Sequence, residues 1–159
     1  MKPGERIFVD TGAWIAAAIA ADKHHDAATE LWTELLVQGG KPFTSVPVII
    51  ETFTYLQRGV GHEVAQAWRS ALSSTPRLTI LDCTGADLAA ARPWLERRGL
   101  HKLGLVDATS FVRMKRHKLR RAFTFDAHCT VAEFLVLRSP LLSGCPTGAS
   151  SDARLTHLT

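Results

Sequence analysis

Apolar positions along this chain follow two alternating rhythms. Short unbroken runs, the first being Ile7-Phe8-Val9, are bounded by turn-forming residues and read as strands buried on both faces. Between them lie longer stretches whose apolar residues recur every three or four positions, the spacing of a helix with one buried face. The first strand ends in Asp10-Thr11-Gly12, and a helix over 13–21 follows. A second helix spans 25–37, with Ala28, Leu31, Leu35 and Leu36 on one side and Gly39-Gly40 as its stop. A strand over 42–46 precedes Pro47, which suits the first turn of a helix continuing over 48–58. The next helix, 62–72, groups Ala65, Trp68, Ala71 and Leu72. After a strand at 78–81, Thr84 caps a helix running through Ala91 toward Arg98, which Pro93 kinks or divides and Gly99 closes. A helix over 105–118, a strand over 122–125, a short helix over 127–133 and a strand over 134–137 complete the pattern.

Strands that alternate with helices and are apolar throughout predict an α/β fold, a parallel sheet covered on both faces. There is no internal repeat. Beyond Arg138 the periodicity stops in a stretch with two prolines, two glycines and several Ser and Thr. The expected organisation is one domain over 1–138 and a flexible tail over 139–159. A length of 159 residues suits a single domain that needs neither disulfide nor metal to fold.

Composition narrows the class. At 46% hydrophobic and 21% charged, the chain is not wholly disordered. Its net charge of +4 permits a polyanionic partner without demanding one. Cys83, Cys129 and Cys145 are odd in number and lack CxxC spacing, so a reducing cytoplasm is expected rather than a disulfide or zinc framework. Lys2 and Arg6 precede an apolar stretch over 7–21, but Asp10 interrupts it, so neither a signal peptide nor a membrane span is expected.

Open parallel sheets bind ligands beyond the carboxyl ends of their strands. Asp10 follows the first strand and Asp126 follows Phe123-Thr124-Phe125. Glu51 lies about one turn into the helix after the second strand, and Asp107 lies in the first turn of the helix before the Asp126 strand. Each has an ordinary explanation alone: a turn for Asp10, a helix dipole for Asp107, a solvent-facing position for Glu51, a cap for Asp126. The set says more. Two carboxylates about 4 Å apart repel by roughly 4 kcal/mol at an effective dielectric near 20, so a convergent quartet calls for a cation. Oxygen-only ligands favour Mg²⁺ or Mn²⁺ over zinc, and such a site suits phosphodiester hydrolysis.

Four segments in order, residues 8–14 around Asp10, Thr44-Ser45 to Glu51-Thr52, 105–111 around Asp107 and 122–128 around Asp126, resemble the PIN-domain ribonucleases, in particular the VapC-like toxins of bacterial toxin–antitoxin pairs. The resemblance spans about Arg6 to Leu137. It implies a three-layer α/β/α sandwich around a central parallel sheet and Mg²⁺- or Mn²⁺-dependent RNA cleavage leaving 5′-phosphate and 3′-hydroxyl ends. Asp10, Glu51, Asp107 and Asp126 become the metal-site and catalytic residues, Asp10 and Asp107 the first choices for direct ligands, with Thr11 and Thr124 near the metal. A homodimer and an antitoxin that blocks the acidic groove are further implications. The apolar faces of the 48–58 and 62–72 helices are candidate interfaces, or simply core. Cys129 stands where the family often has an aromatic residue, and the tail matches nothing in the family.

Between Asp107 and Asp126 runs a dense basic segment, Arg113, Lys115, Arg116, Lys118, Arg120 and Arg121, expected to contact the RNA backbone. Arg92, Arg97, Arg98, His101 and Lys102 extend it. His24-His25 reads as a helix start, His128 as a packing or exposed residue near Asp126, and the four tryptophans as core or interface. Two alternatives stand beside the nuclease. A haloacid-dehalogenase-type phosphatase needs a second Asp where Gly12 stands; a non-catalytic PIN-like module binding RNA or protein would not need the acidic quartet. A dinucleotide-binding domain is set aside for want of GxGxxG.

Overall fold

The computed structural model describes residues 1–100 and 102–139. The proposed tail, apart from Ser139, and His101 lie outside the described residues. Among the described residues, five strands form one sheet in the order β3-β2-β1-β4-β5, with every neighbouring pair parallel. They are β1 (Arg6–Val9), β2 (Lys41–Ser45), β3 (Thr79–Leu81), β4 (Arg121–Phe123) and β5 (Leu135–Val136). Among the described residues, seven helices flank them: α1 (Thr11–Ala18), α2 (His25–Val37), α3 (Val46–Gly59), α4 (His62–Ser73), α5 (Gly85–Leu95), α6 (Leu105–Arg116) and α7 (His128–Val131). The expected three-layer α/β/α sandwich is thus the observed architecture.

The chain begins in the middle of its sheet. From β1 it builds outward through β2 and β3, then returns to the other side of β1 for β4 and β5. The reversal falls between β1 and β4, so the carboxyl ends of these two strands flank the crevice where open α/β sheets take their ligands. Register fixes that edge: Ile7, Phe8 and Val9 pair with Arg121, Ala122 and Phe123. The amide of Asp10 continues the ladder by donating to the Phe123 carbonyl at 3.1 Å.

Burial explains why these segments take these forms. Ile7, Phe8 and Val9 are fully enclosed, as a central parallel strand requires. On α2 the buried residues Ala27, Ala28, Leu31 and Leu35 recur at helical spacing. Gly40 follows because a Cβ there would sit 2.7 Å from the Leu35 carbonyl oxygen. Trp14 packs against Trp32 and Trp68, with ring centroids 4.9 Å and 5.9 Å away. Its indole N–H donates to the Thr44 hydroxyl, which donates in turn to the Val9 carbonyl. This chain ties α1 to β2 and β1 directly beneath Asp10. The α4 residues Ala65, Trp68 and Leu72 are core, as are Val48, Thr52 and Leu56 of α3, while Ile50 and Tyr55 on α3 remain exposed.

Several boundaries differ from expectation, three of them for reasons that can be read from the structure. Helix α1 starts at Thr11, because the Asp10 carbonyl already accepts the amides of Ala13 and Trp14. Pro93 does not divide α5; it sits in the last turn, and the helix ends two residues later at Leu95 rather than continuing toward Arg98. Helix α6 stops at Arg116, and Lys118 turns the chain with a φ of 53°. Among the described residues, no helix is long and apolar enough to cross a membrane.

Candidate active site

Asp10 leaves β1 at the crevice and is only 6% exposed. As the residue before α1 it is placed to cap the helix, yet its carboxylate makes no capping hydrogen bond. Instead Oδ2 accepts the Thr124 hydroxyl at 2.9 Å. The other oxygen, Oδ1, is buried with no hydrogen-bond partner among the described residues. Burial, reinforced by the nearby charge of Asp107, pushes the Asp10 pKa up to about 7.

Asp107 enters from the first turn of α6. Its Oδ2 accepts the Gly104 amide at 3.2 Å, and a Cβ at position 104 would lie 3.1 Å from that oxygen, so glycine lets the loop close over the carboxylate. Burial again raises the pKa, here to about 6, with Asp126 and Glu51 adding repulsion against the opposing Gly104 bond. Glu51 reaches in from α3, where its Oε2 accepts the Thr11 hydroxyl at 2.5 Å. Asp126 follows β4, and its amide donates to the Thr124 hydroxyl at 3.0 Å. Its carboxylate accepts from the His128 amide and pairs with His128 Nδ1. His128 is therefore a partner of the acidic group, a role that its i,i+2 spacing from Asp126 makes visible only after the turn is known.

The four carboxylates share one edge of the sheet and feel one another electrostatically. Among the described residues, no group of three or more His, Cys, Asp or Glu side chains is arranged to hold a metal ion as it stands. The donor set still fits a hard divalent cation. Mg²⁺ is usually held by one or two carboxylates together with water and substrate phosphate rather than by a full protein cage. A buried, unpartnered carboxylate oxygen beside a second destabilised carboxylate is where such a charge is most favourable. Cys129, also buried here, is held in its thiol form by burial and by Asp10, Asp126 and Asp107, which removes it as a nucleophile.

The six basic residues occupy different surroundings. Arg113 and Arg116 both pair with Asp87, whose side chain is fully enclosed on α5. Arg121 pairs with Glu5 at 2.9 Å, and Lys115 lies over the Trp94 ring at 4.6 Å. Lys118 and Arg120 are exposed in the turn before β4, and Arg6 donates to the Lys118 carbonyl at the start of β1. These residues gather toward the amino-terminal edge of the sheet. From Asp107 the helix carries the chain about 13 Å along its axis before Arg116 is reached. The structure does not bring this run to the carboxylates.

Comparison with known proteins gives a consistent picture. Residues 7–134 match the family model described as PIN domain. The chain is 36% identical over 136 residues to the 23S rRNA-specific endonuclease VapC20 of Mycobacterium tuberculosis, covering 83% of this chain and 98% of that protein. The crystal structure of Mycobacterium tuberculosis VapC20, a sarcin–ricin loop cleaving toxin, superposes with a TM-score of 0.74 at 32% identity, over 84% of this chain and 99% of the other. VapBC2 from Rickettsia felis, solved bound to a DNA fragment from its promoter, shares the fold with a TM-score of 0.62 at 18% identity, over 83% and 97% of the two chains. With the four acidic segments, the switch-point crevice and these likenesses in agreement, the chain belongs to the PIN-domain family, among its VapC-like toxins.

Proposed function

We infer that the protein is a divalent-metal-dependent ribonuclease and the toxin of a toxin–antitoxin pair, acting on RNA in the cytoplasm. The observation that carries this reading is Asp10, a buried carboxylate with one oxygen unpartnered among the described residues, set beside Asp107 at the switch point of a parallel sheet. Asp10 and Asp107 would hold Mg²⁺ or Mn²⁺, with Glu51 and Asp126 completing the acidic edge. When bound, the cation offsets the carboxylate charge and supplies the Lewis acidity for phosphodiester hydrolysis.

The protein's own groups prepare the site. Thr124 fixes the Asp10 carboxylate and, through the Asp126 amide, its spacing from the end of β4. Thr11 holds Glu51, Gly104 holds Asp107 and His128 holds Asp126. Carboxylates locked this way lose little further freedom when a substrate phosphate arrives, which is how a positioned site lowers a barrier.

For the substrate, the likeness to VapC20 supports the sarcin–ricin loop of 23S rRNA. For the partners, kinship with VapC-like toxins supports a cognate antitoxin and a homodimer. The deciding experiment incubates purified, antitoxin-free protein with a labelled hairpin RNA carrying the sarcin–ricin loop, a scrambled hairpin and a broad RNA panel. Each is run with Mg²⁺, with Mn²⁺ or with EDTA, alongside Asp10→Asn. Cutting of the loop that needs metal and Asp10 is expected. Cutting of other RNA only would reject the substrate assignment, whereas an intact panel with folded protein and metal present would reject the nuclease and favour a binding module.

A further inference from the structure

Beside Asp126 lies a cavity of about 290 Å³ that the carboxylate chemistry does not use. Its wall includes His24, Phe125, Thr130 and Arg138 as well as Asp126. The His24 imidazole and the Phe125 ring are stacked face to face, with centroids 4.3 Å apart and planes within 2°. His24 Nδ1 is buried with no hydrogen-bond partner among the described residues. Arg138 is exposed, follows β5 and so stands at the carboxylate edge of the sheet. This places a cation where the basic run of 113–121 supplies none.

We propose that this cavity is a subsite for one nucleotide of the RNA strand flanking the scissile phosphate, its base on the His24–Phe125 pair and its phosphate on Arg138. The proposal rests on the nuclease reading above and names how that site grips its substrate. Size supports a single nucleotide, since the volume falls at the lower limit of small-ligand pockets, about 300 Å³. Chemistry supports a base, because aromatic pairs extend a stack of planar heterocycles and do so without regard to sequence. Continuity supports the placement: Asp126 lines the cavity and belongs to the acidic edge, so a strand crossing one reaches the other.

The test measures binding of labelled r(A)6, r(C)6 and r(U)6, and of an abasic ribose-phosphate hexamer, to the full-length protein in EDTA. Without metal the probes are not cut, and the carboxylates penalise all of them alike. Wild type should bind the base-bearing hexamers roughly tenfold more tightly than the abasic one, the scale of one aromatic stacking contact. His24→Ala should erase that ratio while leaving abasic binding unchanged, and His24→Phe should restore it. Phe125→Leu gives a second removal of the stack. Arg138→Gln should weaken all the hexamers alike and lower the salt slope by about one ion. Equal binding of base-bearing and abasic probes by wild type, or a ratio that survives both His24→Ala and Phe125→Leu, overturns the subsite. Metal-dependent cleavage with no base advantage overturns the subsite alone, and a base advantage with no cleavage overturns the nuclease alone.

Discussion

The hydroxyl of Thr124 donates to Oδ2 of Asp10 at 2.9 Å, and both groups are buried. One short side chain thus orients the carboxylate that is hardest to accommodate in the site. Replacing it with Val keeps the shape and removes the donor, leaving both Asp10 oxygens unpartnered. Thr124→Val should lose about 2 kcal/mol of stability in urea unfolding and lose cleavage, while Thr124→Ser keeps most of both. Unchanged stability in Thr124→Val would show that the bond contributes little.

Asp10 itself is predicted to trade stability for activity. Its ionised form is opposed by burial and by Asp107, so the neutral isostere relieves strain in metal-free protein. Asp10→Asn should raise metal-free stability by about 1–2 kcal/mol and abolish RNA cleavage. A variant that melts lower than wild type in EDTA would contradict this account of the site.

Asp87 behaves in the opposite sense. Burial raises its pKa, but the Thr84 backbone and hydroxyl, then Arg113 and Arg116, outweigh it and hold the carboxyl below its ordinary 3.8. A depressed folded pKa contributes stability that is present above the unfolded value and lost as pH falls through the folded one. Asp87→Asn should therefore cost about 2–3 kcal/mol at pH 7, and the gap to wild type should close as the pH is taken below 3.8. Urea titrations of both proteins from pH 7 downward measure it; a gap that persists through acid would locate the cost in packing instead.

The exposed cations at the far edge make a contrasting case. Lys118→Gln with Arg120→Gln removes two charges from the turn before β4, away from the carboxylates. The KM for a cleaved RNA should change by less than about twofold, against a larger increase for Arg138→Gln. Steady-state kinetics at two salt concentrations decide between them.

Much of this was legible in the chain because a parallel sheet converts sequence order into position. Apolar runs marked the strands, and the residues following β1 and β4 had to meet at the switch point. Direction along α6 was harder to read. The helix runs back against the strands, so residues late in it move away from the site that Asp107 begins. Arg113 and Arg116 also answer a carboxylate on α5 that no local pattern pairs with them. His24, Phe125 and Arg138 come from a helix start and two strand ends, with no shared periodicity to link them.

The central place of β1 has a consequence for the protein during its own synthesis. Asp10 is made early, but β4 and Thr124 follow more than a hundred residues later, and Asp126 later still. No nascent fragment ending before β4 can order the Asp10 carboxylate. The acidic site is therefore incomplete until β4 and the turn that follows it have been made.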